Sequence, residues 1–89
     1  MDRREAVALL HRQVTAENLR KHCLATEAVM RALAERLQEP ESLWSVVGLL
    51  HDLDYEETVD HPQQHGLRTA NMLMDSDLPP EGVEAIKRH

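Results

Sequence analysis

The stretch VVGLLHDLDYEE runs an apolar segment straight into His51 and Asp52 and then into acidic residues. An imidazole beside a carboxylate serves one of two purposes. It is either a helix terminus turning to solvent or part of a cation site, since neutral imidazole and carboxylate together suit divalent metals. Six histidines in 89 residues is a high count: His11, His22, His51, His61, His65 and His89. A lone inward histidine is usually bonded to a backbone carbonyl, and a terminal one such as His89 is often a frayed end. Several buried imidazoles in a small core are harder to satisfy, because each unpaired polar group costs about 1–3 kcal/mol. One shared cation would satisfy them together, and it would also face the charge of Asp52, which is costly to bury alone.

Helical periodicity gives the elements that must position these groups. Five helices are expected. The first covers about 2–13, with Ala6, Leu9 and Leu10 apolar. Thr15 is placed as the N-cap of a long second helix, about 16–38. Its expected apolar stripe is Leu19, Cys23, Thr26, Val29/Met30, Leu33 and Leu37, with Arg20, Glu27, Arg31 and Glu35 opposite. The third, from near Ser42 to His51, is apolar almost all round and should be central. An acidic loop, 53–61, follows. Pro62 then opens a fourth helix to about 75, with Leu67, Ala70, Leu73 and Met74 inward, and Pro80 opens a fifth carrying Val83 and Ile86. On these phases His22 points inward, His51 sits at the edge of the third helix's apolar face, and His89 lies in phase with Ile86. His65 is opposite Leu67 and Ala70, so periodicity does not aim it inward, although a first-turn side chain leans back toward the acidic loop. His11 and His61 read as solvent or capping residues.

Composition narrows the classes. The net charge is −6, without a basic stripe, which argues against nucleic acid as a partner. One cysteine excludes an intrachain disulfide and suits a reducing, cytoplasmic setting. No apolar run approaches the roughly 18–20 residues of a membrane span. With one Trp, one Tyr and no Phe, the core must be built from Leu, Val, Ala and Met, which favours packed helices: an all-α fold in a single domain.

An inward histidine on a long helix followed by LLHD resembles the HD-domain metal-dependent phosphohydrolases. HPQQHGLRTANML and EGVEAIKRH resemble the two helices that follow in the subgroup with additional histidine ligands. The resemblance implies that His22, His51 and Asp52 hold a divalent cation, with His65 and His89 on a second and Asp52 as bridge and catalytic residue. The ion is one of Mn, Fe, Mg, Ni or Zn, which the sequence does not distinguish. It further implies hydrolysis of a small phosphate ester, such as a nucleotide, by water activated on the metal. The family's last ligand is an Asp on a later helix, so these residues are expected to form the N-terminal part of a longer HD domain. Apolar surface left open is then expected to pair two copies as a homodimer. The lysine that often follows HD in the family is absent from HDLDYEE; Lys21, Arg68 and Lys87 are the cations left to grip phosphate. A non-catalytic, metal- or nucleotide-binding regulatory module is the alternative.

Overall fold

The computed structural model describes residues 1–88, which contain six α-helices, one 3-10 turn and no strand. The helices are α1 (Arg3–Gln13), α2 (Glu17–Leu37), α3 (Glu41–Leu50), α4 (Tyr55–Thr58), α5 (Leu67–Leu73) and α6 (Pro80–Arg88). The expected all-α fold is present. As expected, α3 is central, burying Ser45, Val46, Gly48, Leu49 and Leu50 against α1, α2 and α6. Around it the core gathers Ala6, Leu10 and Val14 from the N-terminal segment, then Cys23, Leu53, Leu73, Leu78 and Ile86.

Local chemistry sets the helix starts. Asp2 caps α1 by accepting the Glu5 N–H at 2.8 Å, and the Glu5 carboxylate accepts the Asp2 N–H in return at 3.4 Å. Thr15 does not cap α2 as expected. Ala16 occupies that position, and the cap is supplied from α4: Glu56 accepts from Thr15 N at 3.0 Å and Ala16 N at 2.8 Å. Those backbone donors hold the Glu56 carboxyl below its ordinary range and tie the start of α2 to the segment after α3.

The expected stripe on α2 is rotated. Val29 and Leu37 are more than half exposed and Leu33 is also exposed, whereas Glu27 is buried. The inward line is Leu19, Cys23, Thr26, Glu27, Met30 and Ala34. Glu27 belongs there because its carboxylate accepts from Arg3 Nε at 2.8 Å and from Ser45 Oγ at 3.1 Å, so one carboxylate links α1, α2 and α3. Burial pushes its pKa up, but the bonds from Arg3 and Ser45 and the charges of Arg3 and Arg31 bring it below the usual carboxylate value. Breaking a fully buried ion pair costs about 3–5 kcal/mol, and the half-exposed Arg3 guanidinium reduces that by solvent screening. Glu27→Ala is therefore expected to lower stability by about 2 kcal/mol at pH 7. Denaturant unfolding of the two proteins is the check, with an unchanged midpoint as the contrary result.

The fourth expected helix is broken, and part of the acidic loop is helical. Pro62–Gln64 makes a single 3-10 turn, His65 is extended and Gly66 has φ 83°. Glycine adopts that left-handed conformation without a Cβ clash, so the chain turns there before α5 begins. With the phase reset, Thr69, Ala70 and Leu73 face inward, while Leu67 and Met74 are exposed. Upstream, Tyr55–Thr58 forms α4, its Thr58 hydroxyl donating to Asp54 O at 2.8 Å.

Candidate metal centre

The last turn of α3 leaves backbone carbonyls without helical partners. His51, at its C-cap, uses one of them: its Nδ1 lies 2.7 Å from Gly48 O. A carbonyl only accepts, so Nδ1 carries the proton and Nε2 is directed away from the helix. That Nε2 lies 3.1 Å from Asp52 Oδ2. His22, from the second turn of α2, brings its Nε2 to 3.3 Å from the same oxygen, and the two rings are 5.3 Å apart. His65, in the break before α5, brings its Nε2 to 3.0 Å from Asp52 Oδ1. Three imidazole Nε2 atoms thus surround one buried carboxylate, and donor atoms of His22, His51 and Asp52 all lie within 4.8 Å of one another.

A family model for the HD domain matches residues 19–89. The chain belongs to the HD-domain family. No curated protein and no solved structure matches it significantly. The matched stretch of this HD domain takes in all the residues just described and leaves α1 outside it. HD domains are broadly metal-dependent phosphohydrolases, and the donor set here fits a cation on its own chemistry. With Nδ1 of His51 committed as a donor, the neutral ring presents a lone pair at Nε2, aimed at a carboxylate oxygen that also carries lone pairs. His65 is in the same position, with a carboxylate oxygen near each ring nitrogen. Such pairs repel unless a proton or a metal ion stands between them. Two imidazoles poised this way about one carboxylate suit a shared divalent cation.

Not every expectation about the site survives unchanged. His22 is not inside its helix stripe; its side chain is 53 % exposed and reaches Asp52 from the rim. His65 does not sit opposite a helix face, because the Gly66 break removes it from any helix, and it is partly buried. His11 and His61 are exposed. His89 lies outside the described residues. Cys23, one residue after His22, is no thiolate ligand here: burial, then the charge of Asp52, pushes its thiol up to about 11.

Asp54 is the residue that sequence reasoning passed over, as one more acid in a loop. It is fully buried. Its Oδ2 accepts the N–H groups of Gly66 at 2.8 Å and Thr69 at 2.9 Å, and its own N–H donates to Thr69 Oγ1 at 3.0 Å. Asp54 therefore caps α5 from a distance. Its Oδ1 lies 2.8 Å from His65 Nδ1, within ion-pair distance but without hydrogen-bond geometry.

Protonation competes with metal at His51. Burial would lower the pKa of its imidazole, but the hydrogen bond and charge of Asp52 and the Gly48 carbonyl outweigh burial and raise it above 6.5. A raised folded-state pKa stabilises the fold fully below the unfolded value and progressively less as pH climbs through the folded one. Metal-stripped protein is thus expected to lose stability as pH rises above 6.5. Metal affinity should rise over the same window as the proton leaves. Urea unfolding in chelator, beside calorimetric metal titrations at matched pH, tests both slopes; flat profiles would rule out this linkage.

Proposed function

We propose that this HD domain is a metal-dependent phosphohydrolase acting on a small phosphate ester, such as a nucleotide, in the cytoplasm. The observation that carries the reading is the convergence of three Nε2 atoms on the two oxygens of Asp52. His22, His51 and Asp52 would hold one divalent cation. His65, on the other oxygen, would hold a second cation with His89 if the resemblance to the subgroup with additional histidines extends to its ligands, Asp52 then serving both ions. Bound there, such a cation supplies Lewis acidity that lowers the pKa of water and offsets phosphoryl charge. Asp52, tethered among the three rings, keeps the donor atoms in register, and the Gly48 carbonyl holds His51 in the tautomer whose Nε2 is bare.

A cleft of about 290 Å³ adjoins His65, walled by Tyr55, Thr58, Val59 and Pro62. Its half-exposed Tyr55 ring is a surface for the organic part of a substrate, and an aromatic base suits it better than a bare phosphate. Arg68, a cation considered for gripping phosphate, is bonded to Gln64 at 2.7 Å and lies near Glu57 at 3.4 Å, so it would have to swing free to serve. The test is release of inorganic phosphate from a panel of nucleoside monophosphates and simple phosphate esters. It is run with Mn²⁺, Mg²⁺, Fe²⁺, Ni²⁺ and Zn²⁺ in turn and with chelator. Metal-dependent, saturable turnover supports the proposal. Metal and nucleotide binding without turnover would instead favour the regulatory-module alternative.

A further inference from the structure

We propose that two copies of this chain pair about a two-fold axis through α2. The exposed ridge of Val29, Leu33 and Leu37 on each copy is seated in an apolar groove beside the same ridge on the other. This pairing does not depend on the reading of the metal centre.

The outer side of α2 is unlike a solvated helix face. Opposite the buried Cys23, Glu27 and Ala34 stand Ala25, Ala28, Val29, Ala32 and Leu33, all exposed and none charged. Arg31 leans off this side toward Ser45. A helix face turned permanently to water normally carries polar or charged side chains. Val29, Leu33 and Leu37 stand four residues apart, so they form one ridge about 12 Å long. Beside the ridge lies its complement. Met30, on the next row of α2, is one wall of a groove of about 300 Å³, and Leu43, Trp44 and Val47 of α3 and Ala85 of α6 form the others. Met30, Val47 and Ala85 also line a second hollow of about 190 Å³, so the groove is long enough for a ridge rather than one side chain.

Ridge and groove adjoin on one surface. A two-fold axis sets each ridge opposite the other copy's groove, which is the self-complementarity that an isologous interface requires. Ridges packed into grooves are also how helices ordinarily meet. A different partner would need only one of the two halves; both on the same face favour a second copy. The charges at the border match as well. Arg36 beside the ridge and Glu81 at the rim of the groove are exposed, and neither has an ion-pair partner among the described residues. Pairing brings each Arg36 toward the other copy's Glu81, making contacts of opposite sign that a single copy lacks.

Sedimentation of the chain from low micromolar to near-millimolar concentration is expected to show a reversible monomer–dimer equilibrium. Chelator is present, so that no metal bridges the copies. Leu33→Asp charges the ridge and Ala85→Trp fills the groove. Both positions are exposed, so the helical circular dichroism should persist while the dimer dissociation constant rises about 100-fold or more. Met74→Asp, at an exposed apolar position on another face, should leave it unchanged. Arg36→Glu and Glu81→Arg should each weaken pairing about 10-fold at low salt, because like charges then meet. An equimolar mixture of those two variants should regain the parent affinity as a heterodimer, since both border pairs are again opposite in sign. A role within one chain would give no such recovery. A parent that stays monomeric over the whole range would leave the groove to some other occupant and overturn the proposal. So would a dimer indifferent to Leu33→Asp and Ala85→Trp, which must pair by another face. Should either apolar variant fail to fold, the charge-reversed mixture decides alone, and its failure to recover would be equally fatal.

Discussion

Replacing Asp52 with alanine is expected to abolish tight metal binding and, in metal-free protein, to destabilise the fold at acid pH far more than at alkaline pH. Both effects follow from its place between His22, His51 and His65. Losing a partner behind a ligand costs about 10- to 100-fold in affinity, and loss of a ligand shared by the whole cluster should exceed about 100-fold. The pH effect comes from His51. In the parent its imidazolium is stabilised by Asp52 against the cost of burial, which raises its pKa. Without the carboxylate, burial is left to dominate and the pKa falls. At pH 5.5–6 the parent therefore keeps a charged hydrogen bond worth about 2 kcal/mol that the variant lacks. Toward pH 8.5, as each ring gives up its proton, the difference should shrink. Unfolding curves for both proteins in chelator, at the two ends of that range, read the stability difference; calorimetry reads the affinity. A stability difference independent of pH would show that Asp52 and His51 are not coupled in this way.

What the sequence made legible was the part governed by helix period and by short-range chemistry. The placement of α3 in the centre followed from its nearly unbroken apolar run, and His51 with Asp52 at its end followed from the same run. The errors have one physical origin, which is partners distant in sequence. Glu27 looked like a solvent-facing acid until Arg3 and Ser45, 24 and 18 residues away, gave it a reason to be buried. Thr15 looked like a cap, but Glu56 from 40 residues downstream bonds the Ala16 N–H. Periodicity treated 62–75 as one helix and so gave His65 a phase it does not have. The Gly66 in that stretch was the available signal for a break. Asp54 carried no signal of that kind. Nothing in an acidic loop distinguishes the one carboxylate that will cap a later helix, because its burial depends on α5 folding back over it. The HD resemblance selected His65 over His61, and the backbone turn explains why a side chain off any helix approaches Asp52.

The other large effect is expected at Gly48, which has no side chain and lies one turn before His51. A Cβ there would stand 2.9 Å from Met30 Cγ, 3.0 Å from Thr26 O and 3.2 Å from Glu27 Cα. Met30 can move aside, but the other two are α2 backbone, so α3 itself must retreat. Helix propensity favours alanine over glycine by about 1 kcal/mol. Overpacking of a well-filled interface costs about 1–3 kcal/mol, and here the opposing atoms cannot rotate away, so the steric cost wins. Gly48→Ala should thus lose about 1–2 kcal/mol of stability net. The same retreat separates His51 on α3 from His22 on α2. Ligand sets tolerate displacements of only about 0.5 Å, so metal affinity should drop along with stability. Gly82 provides the contrast, since the atoms nearest a Cβ there are all side-chain carbons, the methyl tips of Leu43 and Val47 at 3.2 Å and Leu78 Cγ at an ordinary 3.4 Å. Those tips can give way, so the propensity gain should leave Gly82→Ala as stable as the parent, with its metal affinity intact. Thermal unfolding and metal titration of the two variants side by side make the comparison. If Gly48→Ala matches Gly82→Ala in both, the spacing of α2 and α3 is not what sets the distance between His22 and His51.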